Sequence, residues 1–131
     1  MNTRVERYTP ANTMTPIGPY SHLAKVGPFI TIGGTAGVDP ATGALAGPDV
    51  ASQTRQILDA FEIMLASAGS DLDHVLHINV FLADMGDFAE MNAAYAEKMG
   101  ARGPARTAIA VLGLPKPGAL LTMNLTAVAK E

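Results

Sequence analysis

Residues 50–68 place apolar side chains at Val50, Ile57, Leu58, Phe61, Met64, Leu65 and Ala68, with Gln53, Gln56, Asp59 and Glu62 off that stripe. This spacing puts the apolar groups on one face of a helix. Asp49 stands where an N-cap carboxylate can accept from the first free amides, and Gly69 stands where a left-handed C′ residue ends the helix. A helix with one greasy face must bury it against something, and the next segment supplies a candidate. Val75 to Leu82 alternates Val75, His77, Asn79 and Phe81 with Leu76, Ile78, Val80 and Leu82, which is strand periodicity.

A second helix is predicted after Asp87, with Glu90 as capping partner and Phe88, Met91, Tyr95 and Met99 as its apolar stripe, ending at Gly100. The remaining strands are Arg4 to Tyr8, Leu23 to Val26, Phe29 to Ile32, Thr107 to Leu112 and Leu120 to Ala129. Gly27-Pro28 reads as a hairpin turn and Asp39-Pro40-Ala41-Thr42-Gly43 as a loop. The order β-β-β-α-β-α-β-β predicts an α+β domain. Right-handed crossovers place both helices on one face of a mixed sheet. No third helix covers the opposite face, so another subunit is expected there.

The 131 residues fit a single domain spanning 1–131. Apolar residues make up 48% and charged residues only 16%, below the usual ~25%, which again points to surface hidden in an oligomer. A formal charge of −3 gives no support to nucleic-acid binding. Absent cysteine excludes disulfides, thiolate metal sites and a cysteine nucleophile. The N-terminal residues lack the apolar run of a signal peptide, and no segment approaches a membrane span, so a cytoplasmic protein is expected.

Arg106 follows Pro104 at the start of a strand, and its fork of donors suits a carboxylate held by two parallel hydrogen bonds. An ordinary surface salt bridge is the competing reading. Tyr20 and Ser21 sit on a turn that could present an aromatic ring and a hydroxyl to a flat ligand; Tyr20 could equally close the edge of the core. Gly33 and Gly34 follow a buried strand and permit close backbone approach, to a ligand or to a neighbouring chain. His22, His74 and His77 show no metal-ligand spacing, and no nucleophile elbow supports a serine triad. Met64, Met85, Met91 and Met99 read as core or interface filler, and Asp71, Asp73, Asp84 and Asp87 as caps and turns.

Taken together, several stretches resemble the Rid family of YjgF-type imine/enamine deaminases. They are Pro16-Ile17-Gly18-Pro19-Tyr20-Ser21, Val38-Asp39-Pro40-Ala41-Thr42-Gly43, Gln53-Thr54-Arg55-Gln56-Ile57-Leu58 and Asn79-Val80-Phe81-Leu82. Asp87-Phe88-Ala89-Glu90-Met91-Asn92, Pro104-Ala105-Arg106-Thr107 and Leu114-Pro115-Lys116 complete the set, which spans nearly the whole chain. The resemblance implies a chorismate-mutase-like fold, a barrel-shaped homotrimer and clefts between subunits. It implies that Arg106 grips the carboxylate of a 2-imino or 2-amino-enoic acid, with Tyr20, Ser21 and backbone around Gly33 and Ala108 lining the cleft. It implies no metal or organic cofactor. Thr126 falls where the resemblance places a water-orienting glutamate, and Gly33 where it often places a serine. The expected activity is hydrolysis to a 2-oxo acid and ammonia. The alternative is a non-catalytic trimer that binds a small carboxylate. Ribonuclease activity, also associated with the family, finds no acid/base pair in an acidic chain.

Overall fold

The computed structural model describes residues 3–131. The elements are β1 (Glu6–Tyr8), β2 (Leu23–Val26), β3 (Phe29–Ala36), α1 (Val50–Ser67), β4 (Val75–Leu82), α2 (Phe88–Met99), β5 (Ala105–Ala110) and β6 (Leu121–Val128). They form one six-stranded sheet in the order β1-β2-β3-β6-β4-β5. β4 and β5 pair in parallel and the other neighbours antiparallel, so the sheet is mixed.

One face of the sheet meets both helices. Ile30 and Ile32 of β3, Met123 and Leu125 of β6, and Ile78, Val80 and Leu82 of β4 are buried against Ile57, Leu58, Phe61, Met64 and Leu65 of α1. Met91, Tyr95 and Met99 of α2 join the same core. The expected helix boundaries are met: the Asp49 carboxylate accepts from the Ser52 amide at 3.0 Å, and Gly69 takes φ +77° just past the last turn. On the helices' outer surface, Arg55 pairs with Glu97 at 2.9 Å, and Lys98 reaches Asp59 at 2.9 Å as well as Glu62. These pairs are exposed, and surface pairs of this kind contribute little.

Five local readings change. β3 does not stop at Ile32; it runs to Ala36 through a bulge between Ile32 and Thr35, where Gly33 and Gly34 have no side chains to obstruct the extra residue. Leu76 does not share the core face with Ile78. A bulge between Val75 and His77 turns Val75 inward instead and leaves Leu76 exposed. β5 begins at Ala105 rather than Thr107, so Arg106 lies within the ladder, opposite Ile78. Asp87 makes no side-chain capping bond to α2; a short 3-10 turn, Met85–Asp87, capped by Asp84, leads into that helix.

The fifth change concerns Gln53, which is fully buried although its type and position suggested solvent. Its amide nitrogen donates to the Gly47 carbonyl at 3.0 Å and the Gly118 carbonyl at 3.3 Å, and its oxygen accepts from the Leu120 amide at 2.8 Å. A buried amide with every partner made is tolerated, and here it ties two loops to α1. Gly37 packs on the same turn: a β-carbon there would lie 2.5 Å from the Gln53 carbonyl oxygen. Replacing Gln53 by the similarly sized leucine should cost about 2–4 kcal/mol in urea unfolding, since it leaves buried backbone groups unpaired. An unchanged midpoint would remove this clip from the account.

Candidate functional site

The two bulges and the sheet order decide which predicted residues meet. Tyr20, Ser21 and Gly33 line one cavity of about 560 Å³. Its wall also includes Ile17, Val38, Lys116 and Thr122. Tyr20 is about half exposed, not an edge of the core. Its phenol oxygen accepts from the Ile17 amide at 3.1 Å, and its ring meets His22 edge-on at 6.4 Å between centroids. The Ser21 hydroxyl has no protein partner among the described residues. The Gly33 amide is committed to the His22 carbonyl at 3.0 Å, and its own carbonyl accepts from the Thr35 hydroxyl at 2.9 Å. What Gly33 and Gly34 give the cavity is space. A β-carbon on Gly33 would approach nothing nearer than 3.9 Å, and one on Gly34 nothing within 4 Å.

Arg106 and Ala108 lie elsewhere. They align with Ile78 and Val80 on the helix-facing side of β5, which is an edge strand. The Arg106 guanidinium carbon sits 4.8 Å from the Tyr95 ring centroid and 5.7 Å from that of Phe88. Both distances suit cation–π attraction. No carboxylate or other hydrogen-bond partner meets this guanidinium among the described residues. Tyr95 and Phe88 were legible only as an apolar stripe; their seven-residue spacing puts them on the helix side that faces β5. The Tyr95 hydroxyl is buried with no protein partner among the described residues. Burial pushes its pKa above the usual phenol value, while the Arg106 charge pulls the other way.

Thr126 joins neither group. It lies on the face away from the helices, opposite Thr31 and His77, in a separate depression with Phe29 and Leu76. The β6 residue that does reach the cavity is Thr122, four positions back along the strand. Among the described residues, no group of three or more histidines or acids could hold a metal ion. None of the helices there is long and apolar enough to cross a membrane.

Comparison with known proteins settles the family. The family model described as endoribonuclease L-PSP matches residues 10–129. The chain belongs to this family, the YjgF/RutC group. It is 46% identical over 105 residues to a RutC family protein of Pyrococcus horikoshii, covering 80% of this chain and 83% of that one. It is 40% identical over 102 residues to the 2-iminobutanoate/2-iminopropanoate deaminase of Bos taurus, covering 78% and 74%. The crystal structure of the YjgF gene product of E. coli superposes with a TM-score of 0.87 at 31% identity, covering 95% of this chain and 99% of that one. The YjgF-type fold expected from the sequence is therefore the fold observed.

Tyr95 offers a direct test of the second group. Tyr95→Phe keeps the ring under Arg106 and removes the unpaired hydroxyl, so thermal unfolding should show a gain of about 1 kcal/mol. A loss of similar size would reveal a partner for that hydroxyl in the assembled protein.

Proposed function

We propose that the chain forms a trimer in which Arg106 of one protomer faces the cavity of the next, and that this joint cleft hydrolyses a small 2-imino or 2-enamino acid to a 2-oxo acid and ammonia. The observation that carries the reading is Arg106 itself. Its guanidinium is braced by two aromatic rings and meets no acid. A fork of donors so placed suits a ligand carboxylate.

Geometry favours a site shared between copies. Within one protomer, β6 and β4 separate β3 from β5, a span of roughly 14 Å at strand spacing. Arg106 also faces the helices, whereas Tyr20, Ser21 and Gly33 border the cavity at the far side of the sheet. A second copy can close that gap. The face opposite the helices also exposes Phe29 and Leu76, apolar surface suited to contact with further copies.

The chemistry asks little of the protein. Water adds to C2 of the imine R–C(=NH)–COO⁻, and the carbinolamine collapses to R–CO–COO⁻ and NH3; an enamine first tautomerises to the imine. Arg106 would fix the carboxylate and so the orientation of C2. Thr126 is remote from the cavity, so its expected role with water passes to the nearer hydroxyls, Ser21 and Thr122. Uncharged hydroxyls orient water without acting as bases at neutral pH. Acceleration would therefore come from positioning and electrostatics.

One observation favours a second reading, a trimer that binds a small carboxylate without turnover. Among the described residues, the cavity wall contains no aspartate or glutamate to serve as a base. Turnover separates the two. Imine made in situ from 2-aminobutyrate by an amino-acid oxidase should release 2-oxobutanoate and ammonia faster with the protein present. Arg106→Ala should lower kcat/KM by about 10²-fold or more. Sedimentation should report three copies. If wild type shows no turnover yet binds 2-oxobutanoate through Arg106, the binding reading replaces the enzyme. RNA degradation indifferent to Arg106 would overturn both.

A further inference from the structure

We infer that Lys116 binds a second anionic group, so that the cleft prefers a dicarboxylic 2-imino acid to a simple monocarboxylic one. The inference rests on the reading above, in which Arg106 holds the first carboxylate.

Among the described residues that line this cavity, Lys116 alone carries a formal charge; Arg7 lines an adjoining depression that shares Tyr20, Ser21 and Gly33. It is also the one lysine of four whose ammonium has no partner among the described residues. Lys25 donates to the Ala68 carbonyl at 2.8 Å, Lys98 meets Asp59 and Glu62, and Lys130 lies 3.9 Å from Asp71. A half-buried cation beside apolar wall and without a counter-charge attracts an anion from solution. The fork of Arg106 already satisfies both oxygens of one carboxylate. A cation on the opposite wall of the joint cleft is left for another group.

The backbone that carries Lys116 is held in place. Pro115 and Pro117 fix the dihedrals on either side, and the Lys116 carbonyl accepts from the Ala119 amide at 3.1 Å. Two and four residues further on, the Gln53 amide grips the Gly118 carbonyl and the Leu120 amide. The loop is thus anchored to α1 before any ligand arrives, which reduces the ordering cost of binding. Room for a longer substrate comes from Gly33 and Gly34, where side chains would project into open space.

Binding of stable 2-oxo acids tests the inference without requiring turnover. At low ionic strength, titration calorimetry on the assembled wild-type protein should give 2-oxoglutarate about tenfold or more tighter binding than 2-oxobutanoate. Lys116→Met should bring that ratio close to one, Lys116→Arg should preserve it, and Lys130→Met, a control for general surface charge, should not alter it. Circular dichroism and sedimentation establish that each variant is folded and assembled. Equal affinities in wild type, binding of neither acid, or a uniform loss for both acids in Lys116→Met would overturn the role of Lys116. The two readings fail separately. A preserved ratio with no imine turnover removes the deaminase and leaves Lys116 as an anion site; turnover of 2-iminobutanoate with equal affinities does the reverse.

Discussion

The burial of α1 along one side of the sheet is the constraint on which the rest of this structure depends. Ile57, Leu58, Phe61, Met64 and Leu65 are removed from water entirely, and the sheet residues beneath them can be apolar only on that side. At about 1.5–3 kcal/mol for each such side chain, this contact outweighs any single polar interaction in the molecule. It gives the sheet a dry face and a bare one. It also fixes which side of β5 meets α2, and hence that Arg106 rests on Tyr95 and Phe88 instead of reaching toward the cavity of its own chain.

In the proposed function, the division into two half-sites follows from the same constraint. One half carries a guanidinium with no acid and the other a cavity with a lone ammonium and several hydroxyls. Neither half resembles a finished catalytic centre. Each supplies what the other lacks, which is why an assembly of copies is the natural reading of a chain whose bare sheet face exposes Phe29 and Leu76. Hydrolysis of an imine is undemanding enough for such a site, since no strong base is needed where the bond already breaks in water.

Periodicity made much of this fold legible. The α1 stripe, bounded by Asp49 and Gly69, placed that helix almost to the residue, and the element order held throughout. Errors arose where one residue breaks a two-residue alternation. At Leu76 and at Gly33-Gly34, a bulge shifts the phase, and a sequence pattern carries no mark of which residue will be squeezed out of register. Gln53 escaped notice because a glutamine inside a helix usually faces water; two of its three backbone partners, Gly118 and Leu120, lie far along the chain. The candidate site was legible in its parts, Arg106 and the Tyr20-Ser21 turn, through family resemblance. Its division was not, because the distance between β3 and β5 depends on β6 inserting between β3 and β4, which is a property of the topology. The placement of Thr126 away from the cavity has the same origin.

Gln53 has a consequence for how the cavity behaves in time. By clasping the backbone at Gly47, Gly118 and Leu120, a single buried amide makes the loops beside the cavity part of the cooperative unit centred on α1. Walls coupled to the core in this way resist opening by local fraying. In the proposed assembly, a small molecule would then enter by the mouth between neighbouring copies, and its rate of passage would depend on how far those copies stand apart.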